Sequence, residues 1–309
     1  MDMDLLQQIL IAALKTGTPL LLIALGELVC EKSGVLNLGQ EGMMLMGAMA
    51  GFAGAYYTGN LGFGIALSIV AGMSMSLIFA TLTISLNTNQ VATGLALTIF
   101  GTGLSSFLGG DLVGTTIEGF KQIEIPLLSK IPFIGQILFN QDIIVYASFA
   151  IVALTWWVLQ KTRIGLTIRA VGENPHSANA LGIKVLKVRY LSVLFGGAMA
   201  GFAGSYMSLV YTPMWMENMT AGRGWIALSL VVFASWRVGY LMLGAYLFGF
   251  ASILHLVMQG FGFDISPNLL AMTPYLATII VMVMISSNSL KQKLATPMSL
   301  AKPFDPKLH

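Results

Sequence analysis

Apolar runs of about twenty residues, parted by short polar breaks, recur along this chain from Leu5 to Ser286 and leave it few folds to choose from. A hydrocarbon core about 30 Å thick takes roughly 20 apolar residues per helical crossing. The runs lack the period-2 alternation of an outer-membrane barrel. At 309 residues, with 56% hydrophobic and 9% charged residues, the chain has more apolar surface than a soluble core of its size can hide. The expected class is an all-α polytopic membrane protein with about 8–10 transmembrane helices, an internal repeat and interrupted helices.

Leu5 to Val29 is long enough to cross, with Lys15 near its centre either snorkelling to an interface or held as a buried functional charge. Gly34 to Tyr57 opens on GVLNLGQEG, where Asn37, Gln40 and Glu41 among glycines suggest a broken helix. The freed backbone groups of such a break need protein or water around them, and breaks of this kind line cavities. Equally, Glu41 fits a headgroup-level position at a helix start, where the dipole favours a carboxylate. Leu61 to Leu86 and Val91 to Leu108 are the next crossings. Thr98, Thr102 and the nearby glycines fit close helix packing, while Gln90 and Thr93, beside the polar break, are candidates for lining a pathway.

Gly109 to Gln141 reads as a long connection with room for a short or re-entrant apolar piece around Ile123 to Phe139. Asp142 to Leu159 crosses, with Trp156 and Trp157 at belt height. Tyr190 to Tyr211 follows. The 13 uncharged residues between Arg223 and Arg237 reach only about 20 Å as a helix, which predicts a half-helix or a tilted, shielded one. Tyr240 to Gln259, with His255 facing other helices, and Leu269 to Ser286 complete the spans.

Between the apolar runs, Gln160 to Arg189 is the longest basic break. It carries Lys161, Arg163, Arg169, Lys184, Lys187 and Arg189 against the single acid Glu173, with a Gly-Glu-Asn-Pro turn signal in its middle. With the tail lysines 291, 293, 302 and 307 it holds ten of the sixteen Lys and Arg residues, so the positive-inside rule puts loop and tail in the cytoplasm. Nine segments place the N-terminus outside; a tenth, hidden in Gly109 to Gln141, places it inside. The net charge of +3 is small and grouped, which argues against nucleic acid. Cys30 is the only cysteine, so no intramolecular disulfide is available, and with three scattered histidines it makes no metal cluster. The acidic start, Met1 to Asp4, before a long apolar run does not look like a cleaved signal sequence.

The octapeptide Gly47 to Gly54 recurs unchanged at Gly197 to Gly204, which points to an internal duplication, and each copy holds a GxxxG suited to close helix contact. The chain divides accordingly into a first repeat at about 34–141, a loop at 160–189, a second repeat at about 190–286 and a tail at 287–309, all one transmembrane domain. Transporters are often built from such repeats, with the cargo held where they meet. Glu27, Glu31 and Glu41 come with no complementary catalytic cluster, and no GxxxxGK[ST] loop appears, so ATP-driven work would need another subunit to bind the nucleotide.

The runs GELVCEKSGVLNLGQEGMMLMGA (26–48), RIGLTIRAVGENPHSANALGI (163–183) and LLAMTPYLATI (269–279) resemble permease subunits of bacterial ABC importers. The chain is similar to the branched-chain amino acid and ribose permease superfamily, and the SGVLNLGxEG run to its nucleoside and simple-sugar branch. It departs from the pattern at Ala234 to Gly239, where the family more often has a glycine and a proline around the tryptophan, which puts the local bend in question.

The resemblance implies a permease subunit in the bacterial cytoplasmic membrane with its C-terminus inside. Its partners would be a second permease subunit, a cytoplasmic ABC ATPase that binds ATP and Mg, an extracellular solute-binding lipoprotein, and membrane lipid. The chain itself would hold no cofactor. Arg163, Arg169, Glu173, Asn174, Pro175, His176, Ala178 and Leu181 would form the coupling region, centred on a helix at 175–181. Lys184, Lys187 and Arg189 would in part serve orientation and lipid contact. Asn37, Gln40, Glu41, Gln90 and Thr93 would line the route of a nucleoside, the alternatives being a simple sugar or a branched-chain amino acid. An ion-coupled secondary transporter, with Glu41 as its carboxylate, is the reading from a different class.

Overall fold

The computed structural model describes residues 3–260 and 296–305, with isolated residues 272, 276 and 279. The expected crossing Leu269 to Ser286, the end of the second repeat, the tail lysines 291, 293 and 307 and the side chain of His255 lie outside the described residues. Six helical stretches among those described are long and apolar enough to cross a membrane: Met3–Lys32, Leu61–Ser85, Gln90–Leu112, Ile143–Lys161, Val185–Tyr211 and Val238–Gln259.

Helix α1 (Met3–Lys32) is buried along most of its length and antiparallel to α11 (Val238–Gly260). At its far end the chain turns through a short break and enters α2 (Gln40–Thr58), α3 (Leu61–Ala80) and α4 (Gln90–Gly109). Asn60 and Asn89 cap α3 and α4 by accepting from the N–H groups of Phe63 and Ala92. Single π-helical turns, Thr81–Ser85 and Met207–Tyr211, end α3 and α9 (Val185–Tyr206).

At the centre sit α2, α3 and α9, whose facing residues are small. Gly64, Ser68, Gly72 and Ser76 lie four apart on α3 and are all buried. This stripe meets Gly51 and Gly54 of α2 on one side and Gly197 and Gly201 of α9 on the other, so backbones approach without intervening side chains. The two copies of the octapeptide thus face one another: a Cβ on Gly47 would come within 2.5 Å of the Gly201 Cα. The Ser68 hydroxyl reaches the carbonyls of both Gly47 and Gly201.

The connection from 110 to 141 holds no further crossing. Its pieces are a 3-10 turn (Gly110–Leu112), strands β1 (Ile123–Glu124) and β2 (Asn140–Gln141) paired antiparallel, and α5 (Ile134–Phe139), only six residues long. Val113 and Thr116 bridge to Trp215 and Met214, and Gln136 accepts from Gln7 of α1 at 3.0 Å. Connection, start of α1 and end of α9 therefore share one face.

Helix α6 (Ile143–Lys161), capped by Asp142, delivers the chain to the opposite face. There lie α7 (Arg163–Glu173) and α8 (Pro175–Ala180), with Gly172 of α7 against the last turn of α1. Helix α10 (Arg223–Phe233) is 11 residues long, the half-helix of the two forms expected between Arg223 and Arg237. Its bend into α11 forms without glycine or proline, because Ser235 and Trp236 themselves take left-handed φ of 48° and 54°.

Candidate functional site

Two regions gather the residues singled out by sequence. The first is the break between α1 and α2, where the freed backbone groups from Gly34 to Gly39 find protein partners in six places. Gly34 N donates to the Glu31 carbonyl at 2.9 Å and Val35 N to the Cys30 carbonyl at 3.2 Å. Leu36 N donates to Gln90 Oε1 at 2.8 Å, Asn37 N to Glu27 Oε1 at 2.9 Å and Gly39 N to Asn37 Oδ1 at 2.9 Å. The Leu38 carbonyl accepts from Thr98 Oγ1 at 3.0 Å. Buried backbone polar groups in a membrane interior demand this kind of accounting.

Glu27 organises the break, holding Gln40 Nε2 at 2.6 Å as well as Asn37 N. Glu41, 4% exposed, holds a second broken element. Its Oε1 accepts from Thr220 Oγ1 and from Gly222 N at 2.8 Å, and its Oε2 from Gly224 N at 2.6 Å. The carboxylate thus sits in the first turn of α2 and at the N-terminus of α10, where both helix dipoles favour negative charge. Glu31 accepts from Trp236 Nε1, which pins the α10–α11 bend to α1.

Of the five pathway candidates, Asn37, Gln40, Glu41 and Gln90 are therefore buried and brought together around the break. Thr93 is half-buried and shares a hydrogen bond of 2.9 Å with Thr88. Gln40 Oε1 is buried without a hydrogen bond among the described residues. Sequence reasoning passed over Glu27 and Glu31 as structural acceptors and had no means to pair Glu41 with residues 220–224, some 180 positions away. No group of three His, Cys, Asp or Glu among the described residues is placed to hold a metal ion.

The second region is the basic face. Thr162 caps α7 by accepting from Gly165 N at 3.2 Å, and Arg169 turns its Nε back to the Gly165 carbonyl at 3.3 Å. Asn174 caps α8 by accepting from Ser177 N at 3.0 Å, and Pro175 opens that helix where its missing N–H costs nothing. Pro175 and Ala178 face inward, and Ala178 packs with Val171, Val185 and Phe304. Arg163, Glu173, Asn174, His176 and Leu181 are exposed, Leu181 by 81%.

Residues 296–305 tie this region down, a role not visible in the tail's composition. Ser299 N and Oγ both reach the Gly172 carbonyl, at 2.9 and 2.6 Å, and Ala301 N donates to the Gly34 carbonyl at 3.2 Å. Arg189 is buried rather than spread on lipid. It donates to the Lys302 carbonyl at 3.2 Å and to Ser299 Oγ at 3.5 Å, and lies over the Phe304 ring. The same ring stands 5.2 Å from His176.

Residues 9–286 match the family model described as branched-chain amino acid transport system / permease component. A protein of Haloferax volcanii named as a glucose ABC transporter permease is 39% identical over 95% of this chain and 96% of its own length. The guanosine ABC transporter permease of Bacillus subtilis is 33% identical over 91% and 93%. The nucleoside ABC transporter permease of Lactococcus lactis is 32% identical over 93% and 95%. Each of these organisms also holds a second permease, named for the same kind of cargo, that is 25–29% identical over shorter stretches. No solved structure matches the chain.

Proposed function

This chain belongs to the permease-component family of branched-chain amino acid transport systems, and on that premise we propose that it is the transmembrane subunit of an ATP-driven importer whose cargo carries a hydroxylated sugar ring, as a nucleoside or a simple sugar. The names of its relatives support that cargo class, and nucleosides remain our preferred members of it. A second permease from each of three organisms supports a partner permease as the other half of the pathway. A cytoplasmic ATPase supplies the energy, an external solute-binding lipoprotein delivers the cargo, and the basic face with the C-terminus lies in the cytoplasm of a cytoplasmic membrane.

The observation that carries the coupling role is α8. A short capped helix stands on the basic face with its inner side buried and Leu181 held out to solvent. An exposed leucine beside Glu173, Asn174 and His176 suits a groove on a partner protein. Closure of the ATPase would be passed through α7 and α8 to α1, α6 and α9 as a rigid-body movement. On the pathway side, Glu27, Asn37, Gln40, Glu41 and Gln90 position the broken elements, and Thr93, half-buried beside the polar break, is the polar group best left to meet cargo. The ion-coupled reading draws no support from Glu41, whose two oxygens already hold the start of α10.

Uptake by vesicles containing the full assembly tests the proposal. Labelled guanosine, other nucleosides and glucose are offered with and without ATP, and at least one is expected to accumulate only with ATP. Accumulation driven by a proton or sodium gradient alone would sink the reading. Leu181→Glu is expected to abolish ATPase pull-down while the protein still inserts; an intact complex would remove α8 from the coupling role.

A further inference from the structure

An apolar groove of about 720 Å³ opens beside the basic face, between α6, α7 and α9, with α1 as its floor. Its walls include Leu154, Ile164 and Leu191, all more than half exposed, and among the described residues no acidic side chain lines it. Three cations, Arg163, Lys184 and Lys187, line its basic-face end. All three are exposed, and among the described residues none of them makes an ion pair or a hydrogen bond through its side chain. An apolar trench capped at one end by unpaired positive charge matches one amphiphile: an anionic head on a hydrocarbon chain.

We propose that this groove is a binding site for an anionic glycerophospholipid of the leaflet on the basic face. One acyl chain lies along α6 and α9, and the phosphodiester is held by Arg163, Lys184 and Lys187. The volume falls within the roughly 300–1,000 Å³ of sites that enclose small ligands. The guanidinium offers a planar pair of donors to phosphate oxygens, and the two ammonium groups add point charge. Basic pockets between membrane helices at such a boundary favour anionic headgroups over zwitterionic ones. The site is separate from the α8 tip, so lipid would brace the corner between α6 and α7 and leave Glu173, Asn174, His176 and Leu181 free; of the coupling candidates it takes only Arg163. The inference rests on side-chain placement and is independent of which cargo is carried.

Native mass spectrometry of the purified transporter in phosphatidylglycerol and in phosphatidylcholine reads the site directly. The wild type is expected to retain phosphatidylglycerol in preference. The triple change Arg163→Gln, Lys184→Gln, Lys187→Gln, all at exposed positions, is expected to lower phosphatidylglycerol retention by about a hundredfold and leave phosphatidylcholine unchanged. Leu191→Trp, which fills the trench, is expected to lower retention of both. Equal retention of the two lipids by the wild type, or an unaltered preference in the triple variant, would overturn the proposal. So would a photo-crosslinker at position 191 that captures the second permease instead of lipid, since the groove would then be a subunit interface.

Discussion

Glu41 accepts three hydrogen bonds, from Thr220, Gly222 and Gly224, and gives α10 a fixed point of attachment. In Glu41→Gln one oxygen becomes an NH₂ group facing backbone N–H donors, so two donors confront each other in a buried site. The expected loss is about 2–3 kcal/mol, read as a lower thermal midpoint in detergent; an unchanged midpoint would mean the carboxylate is not what holds α10. Asp142 behaves in the opposite sense. Its Oδ1 caps α6 by accepting from Ile144 N and Val145 N, both at 3.0 Å, while Oδ2 is buried without a hydrogen bond among the described residues. Burial pushes this carboxyl above its ordinary 3.8, ahead of the opposing pull of those two N–H groups and of Lys15. A carboxyl raised on folding contributes its stability in full below the ordinary value and loses it as pH rises through the folded one. Asp142→Asn keeps the cap and removes the buried charge, so it should raise the thermal midpoint at neutral pH and make little difference near pH 3.8. A lower midpoint at neutral pH would show that the charge is a net asset.

Among elements, the contact of α3 with α2 and α9 depends on small residues, and its parts differ in what they tolerate. Ser68→Ala removes a hydroxyl that serves two carbonyls on two helices, which should cost roughly 0.5–1.5 kcal/mol. Gly201→Leu should be far worse, because a Cβ there meets the backbone of Ser68 and Ile69 and the helices have no room to part. Size-exclusion profiles of tagged variants are expected to show a monodisperse peak for the first and none for the second; equal profiles would remove close approach as the cause. The paired GxxxG copies were legible from the octapeptide, and the half-length of α10 from the positions of Arg223 and Arg237. Their partners were not, since four-residue spacing of Gly and Ser on α3 names a face without naming what meets it. The bend at Ser235 and Trp236 was obscured for a related reason: a left-handed pair of non-glycine residues is held by Trp236 bonding to Glu31, 205 positions away. Likewise Arg189 sits in a basic run like its exposed neighbours, and only its distant tail partners distinguish it.

For the whole molecule, the path of the chain fixes sidedness once one face is assigned. Lys32 of α1 lies at the face of α7, and Gln7 lies at the face of the 110–141 connection. Cys30 is fully buried, so an introduced cysteine is the accessible thiol. An impermeant maleimide should label Asn60→Cys on intact cells and Ser177→Cys only after permeabilisation, and the reverse pattern would invert the proposed orientation. The tail supplies the remaining prediction, because it joins pieces that are far apart in sequence. Ser299 holds the end of α7, Ala301 holds the break after α1, and Arg189 reaches from α9 to Lys302 and Ser299. Phe304 closes the cluster behind α8 against Ala178, Val171 and Val185. Gly34, at φ 89°, is the residue that lets the break turn beneath Ser299. Removing residues 296–309 would leave the buried Arg189 without these acceptors, at about 1–3 kcal/mol for each donor left unmet, and would uncover the inner side of α8. That loss is local to the basic face, since the glycine and serine contacts that join α2, α3 and α9 make none of these bonds. The truncated protein should therefore still insert and keep its thermal transition, while hydrogen exchange quickens across 162–184 and ATP-driven uptake falls. Unaltered exchange in that segment would show that α7 and α8 hold their place without the tail.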